Sequence, residues 1–230
     1  MLLLLLPAFA GPPASCQLVV AAADASVTLQ RVGLADGART ALRTLEGIDV
    51  GGSRGVVVSG ESVLLCAAGE LVVAGSGDAR SLGAPCAAVG GGSSIVVTDP
   101  RGGPAALHRD FAAVAAAETP EREGHLHRLG AVAATDDAVV VASMPGAALH
   151  WTVPESGEVE RTVVPEGAIG PIWGLSIVGD TLLLLDDGRH EDTVRGPTLR
   201  WYDLAEMTSL GSVALTLEPG EVARGLDCAP

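Results

Sequence analysis

The sequence contains no lysine and very few aromatic residues. Its 230 residues include two Phe, three Trp and one Tyr, so the hydrophobic core must be built mainly from Val, Leu and Ala. The 28 acidic residues outnumber the 14 arginines, which gives a formal net charge of −14 at pH 7. This charge argues against nucleic acid as a partner, because phosphates need a basic surface. It also disfavours binding to an anionic membrane surface.

Several catalytic and membrane signals are missing as well. No Cys-x-x-Cys pair is present, so a zinc knuckle or a thioredoxin-like site has no support. The glycine runs at 51–53 and 90–93 lack the lysine and the following helix of a phosphate-binding loop, and they predict turns. No serine has a recognisable triad context. No apolar run reaches the roughly 20 residues of a transmembrane helix, so we predict no membrane span.

A short motif of small apolar residues recurs four times along the chain. Each copy has an apolar strand, a Gly/Asp turn, a second apolar strand and then a polar loop, and the copies occupy 55–65, 87–97, 131–141 and 174–185. Repeats of about 40–45 residues with four short strands are typical of propeller blades. We therefore predict an all-β fold, a single β-propeller over residues 17–230.

The strand pattern predicts five four-stranded blades. Blades two to five are expected at about Val56–Leu82, Ala87–Ala116, Leu129–Val164 and Ile172–Leu217. Three strands between Leu18 and Leu45 lack an innermost partner, and residues 221–227 form an innermost strand without outer ones. Together they make one more blade, in which the N- and C-terminal segments pair and no sheet edge stays open.

Residues 1–16 predict an export signal. Leu2–Leu6 followed by residues 7–10 resembles a signal-peptide core with an Ala-x-Ala cleavage site. Alternatively, Ala14-Ser15-Cys16 resembles the end of a bacterial lipobox, with Pro13 where that motif usually has Leu. This second interpretation predicts a lipid anchor at Cys16. Either one places the protein in the periplasm or outside the cell, free or anchored to the envelope.

Four cysteines allow two disulfides in an exported chain, with three possible pairings. Cys66 and Cys86 belong to one predicted blade or its edge, which favours a local bridge. The shared blade brings Cys228 close to Cys16, so we predict a bridge that closes the ring. In the loop-entropy model, such a long loop contributes about 4–5 kcal/mol. A lipid anchor on Cys16 excludes this disulfide.

Candidate binding residues fall on one face of the predicted ring. With strands lettered A to D from the centre outward, the B–C loops and the D–A connections emerge together, on what we call the BC face; the A–B and C–D turns form the opposite AB face. Residues 121–127 are expected to connect blade three to blade four, and residues 186–197 to form a long B–C loop in blade five. The predicted binding residues are His125, His127, Trp173, Asp187 and His190.

A divalent metal ion is the one cofactor that these residues suggest. His-x-His on a strand points both imidazoles to one side, so His125 and His127, with His190, are candidate ligands. The carboxylates of residues 186–192 also suit Ca²⁺, although their spacing differs from an EF-hand and Asp-Gly is ordinary turn chemistry. We predict solvated loop residues and no cofactor, with the metal as the alternative.

The repeated motif resembles the WD40-like and YVTN-type propellers, although no Trp-Asp dipeptide closes a blade. In blade five, residues 173–176, 179–180, 186–188 and 199–203 are similar to a blade of the glutamine cyclotransferase family. Members of that family are exported five-bladed propellers that cyclise N-terminal glutamine with release of ammonia. The resemblance implies a catalytic pocket near Trp173 and the pair Asp186 and Asp187.

Two functions are consistent with these features. Repeats without a catalytic constellation favour an exported, non-catalytic module that binds a protein, peptide or glycan on the BC face. The alternative is an enzyme there, either a hydrolase with a metal on His125, His127 and His190 or a glutaminyl cyclase with Asp187 as acid/base. An enzyme requires these side chains to converge in one pocket, and a binding module does not.

Overall fold

The computed structural model describes residues 12–75, 79–100, 105–124, 130–143, 146–190 and 193–229. They form five antiparallel sheets of four strands each, arranged as blades around a central channel, with a two-stranded hairpin and a short helix between strands. The predicted all-β, five-bladed propeller is confirmed.

The strands are numbered in chain order and given for each blade from the centre outward. Blade 1 contains β22 (Val222–Asp227), β1 (Ser15–Ala21), β2 (Val27–Gly33) and β3 (Arg39–Thr44). Blade 2 contains β4 (Val57–Ser59), β5 (Ser62–Ala67), β6 (Glu70–Ala74) and β7 (Arg80–Pro85). Blade 3 contains β8 (Ala88–Gly90), β9 (Ile95–Thr98), β10 (Ala105–His108) and β11 (Arg122–Gly124). Blade 4 contains β12 (Val132–Ala134), β13 (Val139–Ala142), β14 (Leu149–Thr152) and β15 (Val159–Val163). Blade 5 contains β16 (Ile172–Val178), β17 (Thr181–Asp186), β20 (Thr198–Asp203) and β21 (Ser209–Ala214).

The two ends of the described chain share blade 1, as predicted. Strand β22 pairs antiparallel with β1, and Leu18 lies opposite Leu226 in the register. The innermost strand therefore comes from the C-terminal segment and the three outer strands from the N-terminal one. This pairing gives β1 a partner on each side and closes the ring.

The core lies between the blades. Among the described residues, the buried apolar side chains form five clusters, and each cluster joins two successive blades. The cluster between blades 5 and 1, for example, packs Leu183 and Leu199 against Leu18 and Leu226. A linear stack of five blades would have four such interfaces, so the fifth follows from ring closure. Apolar burial at every interface is the main stabilising contribution to the ring.

Glycines allow the inner strands to approach backbone to backbone. A Cβ atom on Gly90 would collide with the carbonyl oxygen of Val132, and one on Gly92 with that of Ala134. Gly55 stands in the same relation to the carbonyl oxygen of Val89. Only a residue without a side chain fits these contacts, which explains the small residues that the sequence places at the inner edges.

Both predicted disulfides are formed, Cys16–Cys228 and Cys66–Cys86. The first joins β1 to the residue after β22 across 212 residues of sequence, and the second spans 20 residues. All four cysteines are therefore used. Because the Cys16 sulfur forms the bridge to Cys228, it is not free to carry a lipid anchor.

Blade 3 departs from its predicted boundaries. The apolar run that was assigned to its end contains the helix α1 (Phe111–Ala115), which is capped by the Asp110 carboxylate accepting from the Ala113 N–H at 2.8 Å. The fourth strand is β11, so residues 122–124 belong to the blade rather than to the connection that follows it. No helix in the described part of the chain is long and apolar enough to cross a membrane.

A candidate binding site on the BC face

Three inner strands bring one tryptophan and two arginines together at the BC-face end of the channel. Trp173 is the second residue of β16, Arg224 lies in β22, and Arg54 precedes β4. The Arg224 guanidinium stacks on the Trp173 ring at 4.0 Å from its centroid, and that of Arg54 lies 5.7 Å away. The Gly55 N–H fixes the three segments, because it donates to the carbonyl oxygens of Trp173 (3.0 Å) and Arg224 (3.2 Å).

The B–C loop of blade 5 adds a carboxylate to this cluster. The Trp173 indole Nε1–H donates to Oδ2 of Asp187 at 3.2 Å, and the Arg189 Nε lies 3.4 Å from Oδ1. A hairpin of β18 (Arg189–His190) and β19 (Thr193–Val194) gives this loop local structure. We refer to Arg54, Trp173, Asp187, Arg189 and Arg224 together as the Trp173 site.

The Trp173 site is positive in a strongly acidic protein. It contains three guanidinium groups and one carboxylate, whereas the chain as a whole carries a net charge of −14. Burial lowers the pKa of Arg54, and it lowers that of Arg224 against the opposing effect of the Asp187 charge. Both groups remain protonated at neutral pH, because the ordinary pKa of an arginine lies far above neutrality. Their charge is thus held where solvation is reduced.

A cleft of about 500 Å³ extends from the site along the junction of blades 5 and 1. Its wall combines apolar and charged groups. The apolar ones include Leu217, Pro219 and Ala223, and the charged ones include Arg189, Arg224, Glu218 and Glu221. The carboxylate of Glu221 is engaged by Arg39 at 2.9 Å, whereas Glu218 is exposed. The volume of the cleft lies within the range of small-ligand pockets and is also large enough for a short stretch of a bound chain.

The structure unites two of the five residues that the sequence predicted for binding. Trp173 and Asp187 are in direct contact, while His125 and His127 lie outside the described residues. His190 is placed by its backbone in β18, and its side chain is not described. In the described ranges, no three His, Cys, Asp or Glu side chains are grouped as a metal site requires. Arg54 and Arg224 were missed, because each reads as an ordinary residue at the start of a strand.

Asp186, which the glutamine cyclotransferase resemblance would place in a catalytic pocket, supports the loop instead. Its carboxylate is fully buried and accepts the backbone N–H groups of Ile169, Gly170 and Gly188 at 2.9–3.2 Å. The Arg200 Nε donates to it at 3.1 Å. These four donors saturate the carboxylate, so it has no free position for a metal ion or a substrate.

Residues 51–55 read Gly-Gly-Ser-Arg-Gly, which has the Gly-x-Ser-x-Gly spacing of a hydrolase nucleophile elbow. An elbow presents its serine on a sharp turn between a strand and a helix. Here Ser53 is buried, and the chain continues into the short inner strand β4. The resemblance is therefore one of spacing only, and Ser53 does not become a candidate nucleophile.

At the AB-face end of the channel, a second depression of about 680 Å³ is lined by the half-buried Asp227 and by four exposed charged residues, Arg109, Asp110, Asp136 and Asp180. Asp227 accepts the Val58 N–H at 2.7 Å, and burial raises its pKa to about 6 despite this bond. The two ends of the channel therefore differ, with three guanidinium groups at the BC-face end and mainly carboxyl groups at the AB-face end.

The sequence matches no protein-family model and no curated protein. Among solved structures, a chain of a nidogen/laminin complex is similar with a TM-score of 0.50 and 11% identity, covering 92% of this chain and 97% of that one. The WD40 propeller of Doa1 gives 0.46 at 13% identity, with coverages of 86% and 64%. The WD40 domain of Neurospora crassa Pan2 gives 0.44 at 11% identity, with coverages of 91% and 68%. At identities this low the similarity is one of fold alone, and the nidogen/laminin chain agrees with the propeller fold.

Proposed function

We propose that the protein is an exported, non-catalytic propeller that binds a protein partner on its BC face. The observation that carries this proposal is the Trp173 site, where side chains from three blades meet at the mouth of the channel beside a cleft. Binding surfaces are commonly built this way, with an aromatic and arginines at the centre of a polar rim.

The contacts of Asp187 favour binding over catalysis. A general acid/base must face the proton it transfers, within hydrogen-bond reach of a substrate. One oxygen of Asp187 accepts from the Trp173 indole, and the other faces the Arg189 guanidinium. These partners orient the side chains of the site relative to one another. The glutaminyl cyclase and metal-hydrolase alternatives therefore find less support than a recognition role.

The covered ring of Trp173 favours a protein or peptide over a glycan. Sugar rings bind to tryptophan by stacking on an open face. Arg224 lies over the Trp173 ring at 4.0 Å, and the indole N–H is already donated to Asp187. The similar chain in the nidogen/laminin complex also belongs to a protein–protein assembly, although that similarity extends only to the fold.

The disulfides support the exported location. Both bridges use buried cysteines, and such bonds persist in oxidising compartments. Because Cys16 is bridged, the proposal favours the free exported form over the lipid-anchored one.

Site-specific photo-crosslinking in the native envelope tests this proposal. A photoreactive amino acid replaces Glu218, which is exposed and lines the cleft, and in a matched protein it replaces Glu61, which is exposed in an A–B turn on the AB face. We expect a discrete protein adduct from position 218 and none of that mass from position 61. The adduct is identified by mass spectrometry and its binding repeated with purified components. The same adduct from both positions, or none from either, contradicts a partner on the BC face.

A further inference from the structure

Two guanidinium groups of the Trp173 site have no counter-charge of their own. In the described part of the chain, neither Arg54 nor Arg224 has a carboxylate within ion-pair distance. The Arg54 Nε atom is buried and makes no hydrogen bond within these ranges. Asp187 acts on Arg224 through its charge, but its direct contacts go to Trp173 and Arg189.

This arrangement is costly in the unliganded protein. Buried donors without acceptors lose hydration, and two like charges on one ring repel each other. A structural role for the arginines explains the stacking on Trp173 but not two like charges without a counter-charge. An anion at the site offsets the repulsion between them, and its two acceptor oxygens match the fork in which a guanidinium presents its N–H donors.

We propose that Arg54 and Arg224 form an oxyanion site that binds the carboxylate of an acidic segment of the protein partner. The inference rests on the proposed function, since it names the chemistry by which the BC face recognises that partner. The cleft, whose wall includes Arg224, provides room for the segment that carries the carboxylate. The surrounding acidic surface repels such a segment elsewhere, so charge also sets its position on the propeller.

The charge balance of the site favours a carboxylate over a phosphate group. Asp187 belongs to the Trp173 site, and the exposed Glu218 lines its cleft, so two carboxylates partly offset the three arginines. A carboxylate brings one negative charge, whereas a phosphate group brings nearly two at neutral pH. The one positive charge that remains at the site is neutralised by a single carboxylate.

Fluorescence anisotropy with a labelled probe tests the oxyanion site without knowledge of the partner. The probe is an acetylated, amidated hexaglutamate peptide, and hexaglutamine with the same label is its neutral counterpart. We expect the oxidised wild-type protein to bind hexaglutamate at least about tenfold more tightly than hexaglutamine. Arg54→Gln and Arg224→Gln should each weaken this binding by about tenfold. Arg195→Gln, which removes an exposed arginine from the same B–C loop, should change it less than about twofold.

Thermal unfolding of the same variants separates recognition from support. If the arginines bind an anion, Arg54→Gln and Arg224→Gln unfold at the wild-type temperature or above it in the absence of peptide, because a buried repulsion is removed. Clearly lower unfolding temperatures for both variants overturn the inference and assign the arginines to the support of Trp173.

Three results of the peptide measurements also overturn the inference. They are equal binding of the two peptides, an equal loss in Arg195→Gln, and displacement of hexaglutamate by inorganic phosphate at lower concentrations than by unlabelled hexaglutamate. An Arg54→Gln/Arg224→Gln protein that still crosslinks the partner from position 218 also overturns it while the proposed function stands. If the protein with both arginines intact gives no adduct from position 218, the result contradicts the proposed function instead.

Discussion

At the scale of single residues, Asp227 shows what burial does to a carboxyl group in the channel. The Val58 N–H stabilises the ionised form, yet desolvation is the larger effect and raises the pKa to about 6. The native state therefore holds a proton that the unfolded state releases near pH 4. Because the native state binds more protons than the unfolded state between these two values, the stability contributed by Asp227 falls as pH rises through that window.

We expect Asp227→Asn to stabilise the protein at neutral pH. The amide oxygen still accepts the Val58 N–H, and no charge has to be buried. The gain in the free energy of unfolding should be small near pH 4 and reach up to about 3 kcal/mol at pH 7.5. Urea unfolding of the wild-type protein and the variant across this pH range measures the gain. Other titrating groups, such as His108, whose pKa is lowered by burial, are present in both proteins, so their contributions cancel in the difference. A gain that does not change with pH contradicts the raised pKa.

At the scale of elements, the inner strands show how closely the blades approach. Gly90 at the end of β8 lies against the backbone of Val132 in β12, so blades 3 and 4 meet without side chains between them at this point. A methyl group there must displace a carbonyl group, and backbone yields less readily than a flexible side chain.

Gly90→Ala should therefore lower the free energy of unfolding by about 1–3 kcal/mol or more. Gly52→Ala is the matched control, because a Cβ at position 52 meets nothing within 4 Å. The control should be neutral or stabilising by up to about 1 kcal/mol. Denaturant unfolding compares the two variants, and equal effects argue against the close approach of the inner strands.

The sequence analysis missed strand β11, and the short hairpin strands β18 and β19 lie in a segment that it predicted as a loop. Strand β11 consists of Arg122, Glu123 and Gly124 at the outer edge of blade 3, where apolar burial imposes no pattern. The preceding run of alanines was apolar enough to suggest a strand. Asp110 as an N-cap and the high helix propensity of alanine make that run helical instead.

At the scale of the whole molecule, ring closure determines both stability and the site. The fourfold recurrence of the motif, together with the unpaired strands at the two ends of the sequence, was sufficient to predict five blades and the Cys16–Cys228 bridge. The sequence predicted only part of the Trp173 site. Arg54, Trp173 and Arg224 are far apart in sequence, and they become neighbours only when the ring closes. No local pattern marks a strand residue as belonging to a site that three blades share.

Removal of the closing disulfide should cost more than removal of the local one. In the loop-entropy model, the 212-residue bridge contributes about 5 kcal/mol and the 20-residue bridge about 3 kcal/mol. We expect Cys16→Ser/Cys228→Ser to lower the unfolding midpoint further than Cys66→Ser/Cys86→Ser. Calorimetry of the two double variants tests the order, and the reverse order contradicts a role of the first bridge in holding the ring together.

The shared blade also dictates a sequence of events during biosynthesis. Among the described strands, β1 to β3 are synthesised before all others, and β22, which completes their sheet, is synthesised after all others. Until then, the inner edge of β1 and the faces of blades 1 and 5 are uncovered. We expect the insertion of β22 next to β1 to come late in folding, because this contact has a very long sequence separation. The pairing of β22 with β1 places Cys16 beside Cys228, so oxidation of these two thiols fastens the last-made strand to the first-made sheet.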